Sequence, residues 1–200
     1  MQRILAFAIA TLFCAAAFAQ TPRAVVRGTI TAVSDNAASL TMKSRAGATV
    51  AVRLGPNARV IEVVPATAAD LKTNAFIGVA AVPDQGDTLK ALEVHIFPEA
   101  MRGTGEGFRA FDLAPHSSMT NGALSMRVRG VDGDKLTVAY KGGSQTIRLP
   151  PDTPIVSFAP GDKAELKVGA AAIVRGTKAA DGAVEAAAVL VGKNGLVPPM

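Results

Sequence analysis

A pattern that recurs at a spacing of 95 residues constrains this chain more than any other feature. Arg53-Leu54-x-Pro56-Asn57 returns as Arg148-Leu149-x-Pro151-Asp152, and Asp70-Leu71-Lys72 returns as Glu165-Leu166-Lys167. The same spacing relates four apolar positions, Leu89, Ala91, Val94 and Ile96, to Val184, Ala186, Val189 and Val191. Earlier in each copy, two more matches occur at slightly larger spacings: Leu40-Thr41-Met42 with Leu136-Thr137-Val138, and Val33 with Val131. We interpret the recurrence as an internal duplication.

Each copy alternates apolar and polar residues, which is typical of half-buried β-strands. Val50, Val52 and Leu54 share one parity and are expected to face inward. After three such strands Thr67 can cap a short helical turn over residues 68–72, and two more strands follow. Three strands, a helical connection and two strands are the order of an OB-fold, a small five-stranded barrel. The prediction is an all-β protein with short helical turns, built as two tandem OB-like β-barrels.

The repeated segments also resemble a known family. Gly28-Thr29-Ile30 with Leu40-Thr41-Met42, and Glu165-Leu166-Lys167-Val168-Gly169 in the second copy, are similar to the repeat of a bacterial exported family of unknown function with tandem OB-like barrels. The chain departs from that pattern at Asn74-Ala75, where a glycine is usual. The resemblance implies a periplasmic barrel protein and no particular activity. Relatives are sometimes labelled metal-transport components.

The N-terminus predicts export. Arg3 precedes an uncharged run that ends at Ala17-Phe18-Ala19, a small-x-small cleavage pattern, so residues 1–19 are expected to be a cleaved signal peptide. A retained membrane anchor is the alternative, but the run is shorter than the ~20 residues of a transmembrane helix. Cys14 is the only cysteine and would be removed. We therefore expect a periplasmic protein with no transmembrane span and no disulfide.

Five regions follow from these patterns. They are a signal peptide (1–19), a first barrel (24–97), an unrepeated connecting loop (98–123), a second barrel (124–192) and a flexible tail (193–200). Removal of the signal takes away Arg3 alone and leaves 20 Lys and Arg against 16 Asp and Glu. The charges are interspersed, which gives no indication of a nucleic-acid partner.

The loop 98–123 is too long and too rich in aromatic residues for a plain linker. One interpretation is a structural clasp in which Phe108 and Phe111 fill the seam between the barrels. The other is a binding loop that carries a small ligand, an envelope polymer or a protein. Its polar heads would be Arg102, Glu106, Arg109 and Asp112, with His116 beside them. The clasp is the commoner use of such residues, and both interpretations stay open.

A metal site is a second hypothesis for the same region. Strand parity turns Val94 and Ile96 inward and His95 and Glu93 outward, so His116 could fold back to meet them. Glu99, Glu106 or Asp112 could complete such a site, and Met101, Met119 and Met126 suit a soft metal. The ligands lack paired spacing, however, and we expect no cofactor.

No motif selects an enzyme. Ser117 and Ser118 stand beside His116, but sequence adjacency does not create a catalytic triad. Gly103-x-Gly105-x-Gly107 has the wrong spacing for a dinucleotide site. The prediction is therefore a non-enzymatic periplasmic protein that serves as a binding or structural module of the cell envelope. The alternative is a metal-handling accessory protein that uses His95, His116 and the loop.

Overall fold

The computed structural model of the protein describes residues 23–199, which form an almost purely β structure with short 3₁₀ turns. The predicted all-β fold class is confirmed. The strands are β1 (Arg23–Val33), β2 (Ser39–Ser44), β3 (Thr49–Pro65), β4 (Phe76–Pro83), β5 (Leu89–Ile96), β6 (Gly107–Ala110), β7 (Ser118–Val128), β8 (Asp134–Tyr140), β9 (Gly143–Leu149), β10 (Ile155–Pro160), β11 (Ala171–Lys178) and β12 (Val184–Gly192). The predicted signal peptide lies outside the described residues. Within residues 23–199 no helix has the length and apolar character needed to cross a bilayer.

The first barrel consists of β1, β2, β3, β12 and β11. β1, β2 and β3 pair antiparallel in sequence order, β12 lies parallel to β3, and β11 closes the circuit onto β1. This strand order, with a parallel contact between the third and the last strand, is OB-like. Alternate residues of all five strands fill the interior, including Ile30, Leu40, Met42, Val52, Val174 and Val189.

The second barrel consists of β7, β8, β9, β5 and β4. β7, β8 and β9 pair antiparallel, β4 pairs with β7, and β5 lies parallel to β9 through Leu89–Ile147 and Lys90–Arg148. Its interior has its own apolar cluster, which includes Ile77, Val79, Val94, Leu124, Leu136 and Ile147.

The two barrels exchange strands. Each takes three strands from one half of the chain and two from the other, so the prediction that 24–97 and 124–192 each form a barrel is wrong. After the 3₁₀ turn Ala68–Asp70, which lies where the sequence predicts it, β4 and β5 cross to the other barrel; β11 and β12 do the same after Lys163–Glu165. The strand pairs β4–β5 and β11–β12 have the same alternation of apolar and polar residues. Either pair could therefore line either barrel.

The barrels meet where the end of β3 pairs antiparallel with β10. Val63 faces Phe158, which is 95 positions later, and the flanking pairs Val64–Ser157 and Glu62–Ala159 are mirror counterparts at the same spacing. This pairing therefore lies on an approximate twofold axis. A third apolar cluster covers the axis and binds the barrels into one body: Val63, Phe76, Phe97, Val156, Phe158, Ile173, Ala188 and Leu190.

The connecting segment is more regular than predicted. It begins with a 3₁₀ turn at Glu99–Met101 and continues as β6, which pairs with β7. β7 begins at Ser118, so residues 118–123 belong to a barrel strand and the predicted loop boundary at 123 is wrong. Val33 pairs with Leu40, and Arg127 takes the corresponding place opposite Leu136, so the match of Val33 with Val131 is also wrong.

The segment predicted as a flexible tail contacts the first barrel as far as Pro198. The Lys193 ammonium forms an ion pair with Glu62 at 2.8 Å. Further along, the Arg45 guanidinium donates to the carbonyl oxygen of Pro198 at 2.9 Å. These contacts tie the tail to β3 and to the turn between β2 and β3.

Candidate functional site

A cavity of about 430 Å³ lies between the two barrels and under the connecting segment. Small-molecule sites commonly have volumes of about 300–1,000 Å³, so this volume is enough for a small ligand. β1 and β11 form one wall, β5 and β7 form the opposite wall, and the connecting segment covers one side. We call this space the inter-barrel cavity.

The floor of the inter-barrel cavity is aromatic. The rings of Phe97 and Phe158 lie 5.4 Å apart, and the His95 imidazole contacts both, at 4.9 and 5.3 Å. The His95 ring stands edge-on to Phe97 at 80°, which is a favourable aromatic arrangement. Met101, Ile61 and Leu190 add aliphatic surface beside the rings. The floor therefore suits the apolar body of a ligand.

The walls of the inter-barrel cavity are cationic. Five arginines line it: Arg23, Arg27, Arg59, Arg109 and Arg175. Asp112 is the carboxylate that lines it with them, and it accepts two hydrogen bonds from Arg27 at 2.7 and 2.9 Å. These bonds hold the pKa of Asp112 below its usual range. Arginine stays protonated in proteins, so the cavity carries an excess of positive charge.

The surroundings of these cations lower the pKa of two of them, Arg175 and Arg109. Loss of water around Arg175 lowers its pKa, and the neighbouring Arg27 and Arg109 lower it further. Desolvation also lowers the pKa of Arg109. The Arg109 guanidinium donates to the carbonyl oxygen of Gly105 at 2.7 Å and forms no ion pair within residues 23–199. A bound anion would relieve this repulsion.

A polar row crosses the floor on adjacent strands. His95 on β5 and Asn121 on β7 both lie opposite Gly78 on β4. A Cβ atom at position 78 would stand 2.0 Å from His95 Nε2 and 2.7 Å from Asn121 Oδ1, so only glycine leaves room for both side chains. Asn121 Nδ2 donates to the carbonyl oxygen of Thr104 at 3.0 Å, which fixes the orientation of the amide.

Glu93 lies two residues before His95 on β5 and is 1% exposed. Neither of its carboxylate oxygens accepts a hydrogen bond from the described part of the chain, and His95 Nδ1 is 3.9 Å from Glu93 Oε1. Burial raises the pKa of Glu93 to about 7, although Arg27, Arg175 and Arg45 oppose the rise. Burial lowers the pKa of His95 to about 3, so the imidazole is neutral at neutral pH.

Of the four predicted ligand-binding residues, two line the inter-barrel cavity and two lie outside it. Arg109 and Asp112 line the inter-barrel cavity. Arg102 instead pairs with Glu99 and donates to the carbonyl oxygen of Asn74 at 2.9 Å. Glu106 accepts a hydrogen bond from the backbone N–H of Lys141 at 2.9 Å. The segment thus serves as a clasp at these two residues and as a cavity wall at the other two.

One expectation about this segment needs correction. Phe108 does not fill the seam, because it is 46% exposed and does not line the cavity. Phe111 does line the cavity, with the Arg27 guanidinium 5.9 Å from its ring centre. The Ser117 hydroxyl donates to the carbonyl oxygen of Phe111 in the turn between β6 and β7, and the Ser118 hydroxyl donates to the carbonyl oxygen of Ala81 on β4.

The predicted metal site of His95, His116 and Glu93 does not assemble. Across residues 23–199 no three side chains among His, Cys, Asp and Glu lie close enough to hold a metal ion. His116 is exposed on the turn between β6 and β7, with φ of 59°, and it does not line the cavity. His95 and Glu93 leave the barrel interior as predicted, but the other barrel buries the face on which they lie.

Sequence reasoning missed most of the site. Arg27 and Arg175 lie on barrel strands and belong to no motif, and Asn121 falls within the predicted connecting loop but lies on β7. The internal repeat did contain a signal for the site. At the cavity, residues that correspond at the 95-residue spacing differ in chemical type, whereas those that fill the barrel interiors are similar. His95 corresponds to Leu190, and Glu93 corresponds to Ala188. Comparison of the chain with protein-family models, with curated proteins and with solved structures found no match.

Proposed function

We propose that the protein is a non-enzymatic binding module of the cell envelope, exported to the periplasm, and that its ligand is a small organic anion with an apolar body. The ligand would occupy the inter-barrel cavity. The observation that carries the proposal is the chemistry of that cavity, in which five arginines and one ion-paired aspartate surround a floor of aromatic rings. Arginine binds carboxylate and phosphate groups through paired, charge-assisted hydrogen bonds.

Differences between the two halves of the chain support a specialised cavity. Positions that fill the barrels keep their character at the 95-residue spacing, as Val94 and Val189 do. The pair beside the cavity does not: His95, which lines the cavity, and Gly78 opposite it stand where the other half has Leu190 and Ile173. Packing alone explains an apolar pair at this place. It gives no reason for a buried histidine that requires a glycine opposite it.

The export part of the proposal rests on the sequence. Residues 1–19 have the features of a cleaved signal peptide, and the repeat resembles an exported family without a known activity. A protein that binds a small anion without changing it needs no catalytic group, which agrees with the hydrogen bonds of the Ser117 and Ser118 hydroxyls to backbone carbonyl oxygens. Enzymatic chemistry is not part of the proposal.

The test is calorimetric titration with two probes of nearly the same shape, phenylacetate and the neutral phenylacetamide. We expect saturable binding of phenylacetate and at least about tenfold weaker binding of phenylacetamide, because the amide loses the charge-assisted hydrogen bonds. Octanoate, as a second anion, measures the contribution of the aromatic floor. Equal binding of the anion and the amide, or no binding of either anion, would refute the proposal.

Two arginine variants on the same segment provide a matched comparison. Arg109→Gln removes a cation from the cavity and is expected to weaken phenylacetate binding about tenfold. Arg102→Gln removes a cation that pairs with Glu99 outside the cavity, so it should leave the affinity unchanged. An equal loss in both variants would show that net charge, and not the cavity, governs binding.

A further inference from the structure

Glu93 lies two residues before His95, which lines the cavity. It is 1% exposed and accepts no hydrogen bond on either carboxylate oxygen from residues 23–199. Arg27 from β1, Arg175 from β11 and Arg45 from the turn between β2 and β3 are the charges that act on it most strongly. From its own strand the neighbour is His95, which is neutral. Across the sheet it lies opposite Ala80 on β4, which cannot titrate. Glu93 is thus a titratable group whose charge depends on the arginines of the cavity.

A second set of charges reaches this region from the connecting segment. Arg109 on β6 contributes a positive charge that acts on both His95 and Arg175. Asp112 contributes a negative charge, but the Arg27 guanidinium holds it through two hydrogen bonds. Since arginines keep their protons, the group that can change the charge of the site near neutral pH is Glu93.

The same cations would stabilise both the ionised Glu93 carboxylate and a bound anion. Arg27 and Arg175 favour the charged form of Glu93, and both line the cavity in which an anion would lie. An anion there would repel the Glu93 carboxylate and offset the attraction of these arginines. Occupation of the cavity and ionisation of Glu93 therefore oppose one another.

We propose that the inter-barrel cavity takes up its anion together with one proton, which is bound by Glu93. This inference rests on the proposed function, and it adds the regulation of that site. Reciprocity of linked equilibria requires that protonation of Glu93 strengthens anion binding to the same extent that the anion strengthens protonation. The protein would bind its ligand more tightly in a mildly acidic medium than in an alkaline one.

The test follows the affinity for phenylacetate by calorimetry from about pH 5.5 to about pH 8.5, where a carboxylate probe stays ionised. We expect the association constant to fall as the pH rises, by up to about tenfold per pH unit where Glu93 ionises in the free protein. Titration in two buffers of different ionisation enthalpy, near neutral pH, should report uptake of a substantial fraction of one proton for each anion bound.

Glu93→Gln identifies the group that takes up the proton. The variant keeps the size of the side chain but cannot ionise, so its affinity should match that of the protonated wild type and stay constant over the range. His116→Asn, which removes an exposed imidazole outside the cavity, should retain the wild-type pH dependence. Circular dichroism at each pH verifies that each variant remains folded.

The outcomes separate the two proposals. Binding of phenylacetate with an affinity that does not change with pH, or a pH dependence that survives in Glu93→Gln, overturns the inference and leaves the proposed function intact. Loss of the pH dependence in His116→Asn also overturns it. Failure of phenylacetate and octanoate to bind at every pH overturns the proposed function and this inference with it.

Discussion

The substitution Glu93→Gln should change how the stability of the protein depends on pH, even without a ligand. Burial raises the pKa of Glu93 from 4.5 to about 7, so the folded state holds this proton more firmly than the unfolded chain does. The stability that Glu93 contributes is therefore complete below pH 4.5 and is lost as the pH rises through 7. A shift of this size corresponds to about 3 kcal/mol.

His95 acts in the opposite sense. Burial lowers its pKa from 6.5 to about 3, so its contribution is complete above pH 6.5 and is lost as the pH falls towards 3. Between pH 4.5 and 6.5 the contributions of these two groups to the free energy of unfolding change in opposite directions and nearly cancel. Without the Glu93 carboxylate only the His95 contribution remains, so the free energy of unfolding should rise with pH over this range.

Urea unfolding of both proteins at several pH values measures this difference. The free energy of unfolding of Glu93→Gln, relative to the wild type, should rise by about 3 kcal/mol between about pH 4.5 and about pH 8. A constant penalty for the buried amide cancels in this comparison. A Glu93→Gln difference that stays constant with pH would refute the reasoning.

Three further substitutions test the packing of the site by urea unfolding. Gly78→Ala should destabilise the protein by about 1–3 kcal/mol, because its Cβ would stand 2.0 Å from an imidazole nitrogen, whereas Gly55→Ala enters open space and should cost little. Phe158→Ala empties the shared aromatic cluster and should cost about 3–5 kcal/mol, against less than about 1 kcal/mol for the half-exposed Phe108→Ala. Asp112→Ala removes the ion pair between the connecting segment and β1 and should cost about 1 kcal/mol. Equal losses in the members of a pair would contradict the assignment of that contact.

Several features of the fold were accessible from the sequence because they depend on local periodicity. A strand turns successive side chains to opposite faces, so the apolar residues Val94 and Ile96 mark the interior and His95 and Glu93 mark the outer face. The turn at Ala68–Asp70 follows from the same local reasoning, since the Asp70 carboxylate accepts hydrogen bonds from Thr67. The all-β class followed from these patterns.

The composition of each barrel was not accessible in this way. β4–β5 and β11–β12 have the same apolar alternation, so each pair satisfies the interior of either barrel. Each half of the chain could complete its barrel with its own last two strands or with those of the other half. Which of the two occurs depends on where the connections after Ala68–Asp70 and Lys163–Glu165 lead the chain. That is a property of the whole molecule, and no local pattern reports it.

The candidate site depends on this exchange. Arg27 and Arg175 are far apart in the sequence and come together because β1 pairs with β11, a contact between the two halves of the chain. The outward face of β5 becomes a buried floor because the other barrel covers it. The sequence by itself determined the strands, the turns and the parity of each side chain, since these follow from interactions between near neighbours. Only the tertiary structure decided which outward faces meet, because burial and charge at the cavity depend on contacts between residues distant in the chain.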